Sequence, residues 1–156
     1  KSSAIATYAS NIYLLSENNV YKFARNSSGF SPRTTYATLT ENTAGAGSLA
    51  IDGSVYVLTA NHLTELLSGT PKRTAPLPIA MPQTDRLRTA ETLNIASAVN
   101  HQTDRIIVFN KTPSSLAFSY QLKANELSGL QDAVYNPATK QFYILTDTNL
   151  AKINLK

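Results

Sequence analysis

Cysteine is absent from the 156 residues, which removes disulfides, thiolate metal sites and cysteine nucleophiles together. Charge is scarce: 15% of residues are Asp, Glu, Lys or Arg, against roughly 25% in an average soluble protein. No apolar run approaches the roughly 18 residues of a helical membrane span, so no membrane span is expected. Basic residues outnumber acidic ones, for a net charge of +4. They are scattered singly, however, and the densest cluster is only Lys72-Arg73. A nucleic-acid site needs a stripe of positive charge with stacking aromatics. None is present, so no nucleic-acid partner is expected and the charges read as solvated surface.

Polarity comes instead from Ser, Thr, Asn and Gln, and eight of the thirteen aromatics are Tyr. That composition suits β-strands and their turns, and it slightly favours a setting outside the cytoplasm or at the cell envelope. The length fits one domain, residues 1–156, with a sizeable core. The chain opens KSSAIATYAS, with no initiator Met and no signal-peptide pattern, and is expected to start partway through a precursor.

Four segments align without gaps: Asn19-Val20-Tyr21-Lys22-Phe23, His62-Leu63-Thr64-Glu65-Leu66, Arg105-Ile106-Ile107-Val108-Phe109 and Asn149-Leu150-Ala151-Lys152-Ile153. Their second residues, Val20, Leu63, Ile106 and Leu150, are spaced by 43, 43 and 44. Each segment follows another apolar strand: Ile12 to Ser16, Val55 to Thr59, a degenerate Ile95 to Val99, and Phe142 to Thr146. Three of these read apolar-Tyr-apolar-Leu-Ser/Thr. Before them lie further strands, Ala4 to Tyr8, Ser48 to Asp52, Leu87 to Thr92 and Gln131 to Tyr135. Asp52-Gly53 predicts a tight hairpin turn and Asn136-Pro137-Ala138-Thr139 a longer one. Each unit therefore reads strand A, strand B, strand C. A strand D is expected in the first three, at Phe30 to Tyr36, Lys72 to Pro78 and Leu116 to Leu122. Pro32, Pro76 and Pro78 inside these predict sheet edges, because proline cannot donate to a central ladder.

Four antiparallel strands every 43 or so residues is the period of a propeller blade. The stretches LAIDGSVYVL, RIIVFNK and LAFSYQL make the chain resemble tandem blades of a bacterial β-propeller in the NHL or YVTN-like group. The absence of Trp argues against WD40 blades. The resemblance implies an all-β propeller of about four blades, near 1–43, 44–84, 85–126 and 127–156. The fourth unit ends after strand C, and neither end carries a spare strand. The expectation is therefore the C-terminal part of a larger propeller, with chains completing a ring between them and a small closed ring as alternatives.

Ligands of propellers usually meet the face formed by the D-to-A and B-to-C connections. On that face the alignment puts Asn18, Asn61, His62, His101, Asp104, Arg105, Asp85 and Asp147, and these are the candidate ligand-binding residues. They are also ordinary turn residues, since Asn, Asp and His tolerate left-handed backbone and hydrogen-bond locally. No HExxH, GxSxG or phosphate-cradling glycine loop occurs, so no catalytic or metal-binding residue and no cofactor is assigned. Asp52 reads as a turn former, and the recurrent Tyr13, Tyr56 and Tyr143 as packing residues. Asn26-Ser27-Ser28 and Asn110-Lys111-Thr112 match the glycosylation sequon, which matters only in a eukaryotic secreted protein.

An intact repeat without a catalytic constellation leads to the expectation of a non-enzymatic scaffold or sensor module. Its partner would be a protein, another ligand, or the missing part of the same propeller. One alternative is a lactonase-like or glycan-active enzyme using Asp85, Asp104, Glu126 and Asp147 at the channel mouth. Another is a structural subunit whose terminal blades pair between chains.

Overall fold

A computed structural model describes residues 2–41, 43, 47–81, 86–123 and 125–154. The chain is all-β. Its strands are β1 (Ser2–Tyr8), β2 (Asn11–Ser16), β3 (Asn19–Phe23), the two-residue pair β4 (Arg25–Asn26) and β5 (Gly29–Phe30), and β6 (Thr34–Thr38). There follow β7 (Ser48–Ile51), β8 (Val55–Leu58), β9 (His62–Leu67) and β10 (Thr70–Pro76), then β11 (Arg86–Arg88), β12 (Ile95–Asn100), β13 (Arg105–Lys111) and β14 (Leu116–Leu122). The last are β15 (Leu130–Asn136), β16 (Gln141–Thr146) and β17 (Leu150–Asn154), preceded by a short 3-10 turn at Asn125–Leu127.

The strands form four antiparallel sheets in chain order: β1-β2-β3-β6, β7-β8-β9-β10, β11-β12-β13-β14 and the three-stranded β15-β16-β17. Each is a meander, as the A-B-C-D reading expects. The first strands lie in succession, β7 beside both β1 and β11, which gives the row a propeller-like arrangement. The period of the sequence is the period of the pairing. Leu15 faces Val20, Leu58 faces Leu63, Val99 faces Ile106, and Leu145 faces Leu150 across the B–C ladder of each sheet.

The core divides into three clusters, one for each junction between neighbouring sheets. Tyr13, Leu15 and Val20 of the first sheet meet Leu49, Val55, Val57 and Leu66 of the second. Tyr56, Leu58 and Leu63 then meet Ala96, Ala98, Ile107 and Phe109 of the third. Val99, Ile106 and Val108 meet Leu130, Ala133, Phe142 and Ile144 of the fourth. The degenerate third-sheet segment is small because it is buried on both sides, with Ala96, Ser97, Ala98 and Val99 all buried.

Three boundaries differ from expectation. The outer strand of the first sheet is Thr34–Thr38, beyond Pro32, because Arg25–Phe30 folds into its own small hairpin. There Asn26 Oδ1 accepts from the Ser28 amide at 3.0 Å, and Gly29 takes φ 129°. The first strand of the third sheet stops at Arg88, since residues 89–94 turn back, closed by Leu93 N–H donating to Ala90 O at 3.0 Å. In the second sheet Pro78 lies past the strand, whereas Pro71 and Pro76 sit within β10, an edge strand where a missing donor costs no ladder bond.

Candidate functional site

The meander topology puts the β2–β3, β8–β9, β12–β13 and β16–β17 turns at one end of the sheets, together with the connections between sheets. The predicted residues that the structure describes all sit at that end, but they fall into separate grooves. Asp85 lies outside the described residues, as does the Glu126 side chain.

The first groove runs between the first and second sheets. It holds about 310 Å³ and is lined by Thr38, Leu39, Thr40, Glu41, Thr59, His62, Thr64, Pro71 and Thr74. Strand alternation builds it: His62 and Thr64 are two apart on β9 and so share the face turned to the first sheet. Thr74 on β10 stands directly opposite Thr64, their hydroxyls 3.4 Å apart. Glu41, in the connection from β6, reaches across to the β8–β9 turn. His62 Nδ1 lies 2.8 Å from Glu41 Oε1, and Thr59 Oγ1 donates to Glu41 Oε2 at 2.6 Å. The Asn61 and His62 amides point back at the Thr59 hydroxyl, at 3.4 and 3.2 Å. Thr59 thereby fixes both the turn and the carboxylate. With Nδ1 held by a carboxylate, Nε2 is the nitrogen that can meet a ligand, and the carboxylate favours that tautomer and orientation. Both side chains are more than a third exposed, so a solute can reach them.

Asn18 and Asn61 act here through their backbones. The Asn18 carbonyl accepts from Leu39 N–H at 2.7 Å and the Asn61 carbonyl from Leu77 N–H at 2.7 Å. They tie each connection to the adjacent turn.

A second groove, about 590 Å³, is bordered by Gln102, Thr103, Asp104, Arg105, Lys123, Asn125 and Ser128. Asp104 adopts φ 49° and accepts from Leu130 N–H at 2.9 Å, which docks the fourth sheet on the third. Arg105 donates to Gln121 Oε1 at 3.0 Å. His101 is exposed in the same turn. Asp147 accepts from Gln131 Nε2 at 2.6 Å, beyond this groove. Among the described residues, no group of three or more His, Asp and Glu is placed to hold a metal ion, and no helix is long and apolar enough to cross a membrane.

The densest charge cluster lies at the opposite end, between the second and third sheets. Asp52 does form its turn, accepting from the Ser54 amide at 3.4 Å. Its Oδ2 also takes the Lys111 ammonium and, at 2.8 Å, the Thr89 hydroxyl. Lys111 donates further to Thr89 Oγ1 at 2.8 Å and Ala90 O at 2.9 Å, 5.6 Å from the centre of the Tyr56 ring. Beside it Glu65, 2% exposed, accepts from Arg73 Nε at 2.6 Å and Ser54 Oγ at 2.9 Å. Burial pushes the Glu65 carboxyl up, but the Arg73 and Ser54 hydrogen bonds and the nearby cations outweigh it and hold the group below the usual range. Arg73 is raised in turn by that bond. Burial, then the neighbouring Asp52 charge, pushes the Tyr56 hydroxyl up. Every partner here is engaged, so the cluster reads as a fastening between sheets.

No family model and no curated protein matches the sequence. Among solved structures, the chain is similar to that of a "putative 6-phosphogluconolactonase" from Bacteroides uniformis. The TM-score is 0.63, over 95% of this chain and 55% of that one, at 10% sequence identity. At this identity the likeness shows the fold alone, and it supports the propeller-like arrangement. The chain spans about half the length of that structure.

Proposed function

We propose that the chain forms consecutive blades of a propeller, of the NHL or YVTN-like kind that its sequence resembles, and binds a small polyhydroxylated ligand in the groove between the first two sheets. The observation that carries this reading is the Glu41–His62 pair anchored by Thr59. It presents an oriented imidazole to a groove whose lining also includes five threonines, Leu39 and Pro71. Hydroxyls, a carboxylate and an imidazole converging on one concave surface are groups that fix the orientation of a polar small molecule. The volume suits a ligand of monosaccharide size. Thermal-shift titration with monosaccharides, polyols and aldonolactones tests it. A saturable rise in Tm with one of these, lost in His62→Ala and Glu41→Gln, is the expected result. A flat response to the whole panel would sink the proposal.

A second reading, a lactonase-like hydrolase, is favoured by the same imidazole and by the fold likeness to a protein so described. His62 Nε2 would take a proton from water, whose oxygen adds to the lactone carbonyl. The ring C–O bond then breaks, and the alkoxide leaving group takes up the proton, giving the hydroxy acid. Acid release from glucono-δ-lactone, followed in weak buffer, separates this from simple binding. Rates equal in the parent chain and His62→Gln would eliminate it.

A further inference from the structure

Independently of what the first groove binds, the second groove brings two cations together without a carboxylate for either. It lies within the row of sheets, between the β12–β13 turn of the third and the connection to the fourth. The ladder explains how the cations come to share it. Ile106 of β13 stands opposite Leu122 of β14, so the next rung sets Arg105 against Lys123, the residue after the strand. Residues opposite one another share a face, and both of these line the groove. Like charges placed so are destabilising. The other arginines of the second to fourth sheets avoid that cost. Arg73 rests on Glu65, and Arg86 and Arg88 both rest on Asp132, at 2.5 to 2.6 Å. Arg105 meets only the neutral Gln121 Oε1, at 3.0 Å, and among the described residues no ion pair reaches Lys123. Asp104 also lines the groove, but its Oδ1 is taken by Leu130 N–H at 2.9 Å, and two cations still outnumber one carboxylate.

A second, independent observation concerns the Arg105 side chain itself. Its Nε is shut off from solvent and has no hydrogen-bond partner among the described residues. A buried N–H left unpaired is costly, and an ion that binds there accounts for it. Arg88 Nε is in the same state, but there Asp132 already supplies the negative charge. With Nη1 of Arg105 on Gln121, the Nε and Nη2 donors remain. That edge of a guanidinium takes an oxyanion through two parallel hydrogen bonds.

We propose that this groove binds the anionic group, phosphate or carboxylate, of a small molecule, with Arg105 gripping two of its oxygens and Lys123 answering its charge. Arg105 is half-buried, and its guanidinium turns the Nε–Nη2 edge into the groove as the anion arrives. The buried N–H thereby gains the acceptor it lacks, and the repulsion between the two cations is relieved. The groove's 590 Å³ holds more than the anion alone, and Gln102, Thr103, Asn125 and Ser128 border it with neutral polar groups. Two cations without a longer stripe of charge suit a small anion, not a nucleic-acid backbone.

Heteronuclear NMR of the 156-residue chain, titrated at constant ionic strength with inorganic phosphate and separately with malonate, tests this. The Arg105 Nε–Hε resonance and the backbone amides of residues 102–105 are expected to shift saturably with at least one of the two. Saturation by phosphate alone identifies a phosphate group, by malonate alone a carboxylate, and by both the oxyanion chemistry they share. Read on the same amides, Arg105→Gln and Lys123→Gln are each expected to weaken binding at least about 10-fold. Without anion, Lys123→Gln is expected to melt no lower than the parent, because it removes a like-charge contact. Shifts that stay linear in both anions would overturn the proposal. So would an affinity that both variants keep within about 2-fold, or a Lys123→Gln chain that melts well below the parent, the mark of a structural lysine.

Discussion

Replacing Glu65 with alanine removes the acceptor of a buried charge pair and leaves Arg73, whose side chain is 17% exposed, without its carboxylate. The Arg73 Nε and Nη2 atoms lie 2.6 and 2.5 Å from Glu65 Oε2, and Ser54 Oγ is 2.9 Å from Oε1. Breaking a buried pair from one side costs about 3–5 kcal/mol, against a total stability of roughly 5–15 kcal/mol for a domain. At about 2–4 °C per kcal/mol for a chain of this size, Glu65→Ala should melt roughly 6–20 °C lower. Removing both partners is a different perturbation. Glu65→Leu with Arg73→Met exchanges the pair for apolar volume and leaves no stranded charge, so it should recover most of the loss. Acid gives an independent reading. The folded-state pKa of Glu65 is depressed, so its contribution is full above the unfolded value of about 4.3 and fades as pH falls through the folded-state pKa. Urea unfolding followed by circular dichroism and tyrosine fluorescence, from pH 7 down to pH 3, measures all three chains. The parent should lose stability on acidification more steeply than the double variant. A Glu65→Ala chain within about 1 kcal/mol of the parent, or a double variant no better than the single one, would refute the reasoning.

At Gly69 the backbone has φ 84°, and an added Cβ would stand 2.2 Å from the Tyr36 carbonyl oxygen. Gly69→Ala should therefore cost about 2 kcal/mol or more in urea unfolding, and a neutral result would mean the two sheets separate there at little cost. The β1–β2 turn runs through Ala9 and Ser10 at φ 47° and 64°, so Ala9→Asn with Ser10→Gly, the favoured pair for such a turn, should raise stability by about 1 kcal/mol. Phe109 is fully buried between the second and third sheets. Its replacement by alanine should cost about 3–5 kcal/mol, with loss of cooperativity visible as probe-dependent unfolding curves.

The strand order was legible because each ladder repeats one apolar pattern at a fixed period, and burial of both faces demands that pattern. Where local turn chemistry competed, reading by period failed. Asn26 to Gly29 makes its own hairpin, and residues 89–94 turn early around Thr89 and Lys111. The loop face was legible too, since topology alone decides which turns share an end. Which side chains meet was not. Glu41 and His62 are 21 residues apart, and Asp52 and Lys111 are 59 apart. Those distances are set by how one sheet docks on the next, and no spacing along the chain encodes them. Glu65 carried a weak signal, a carboxylate at an inward position of an apolar strand, which calls for a cation on the neighbouring β10.

A core split into three junctions has a thermodynamic consequence. Each sheet is coupled only to its neighbours, so stability should behave as a short one-dimensional chain of coupled units. The middle sheets are held on both sides, the end sheets on one. Backbone amides of β2 and β16 should then exchange with solvent through partial openings that leave β8 and β12 protected. Among these four sheets opening would spread inward from the first and the fourth, and any surface packed on either would slow the exchange of that sheet first.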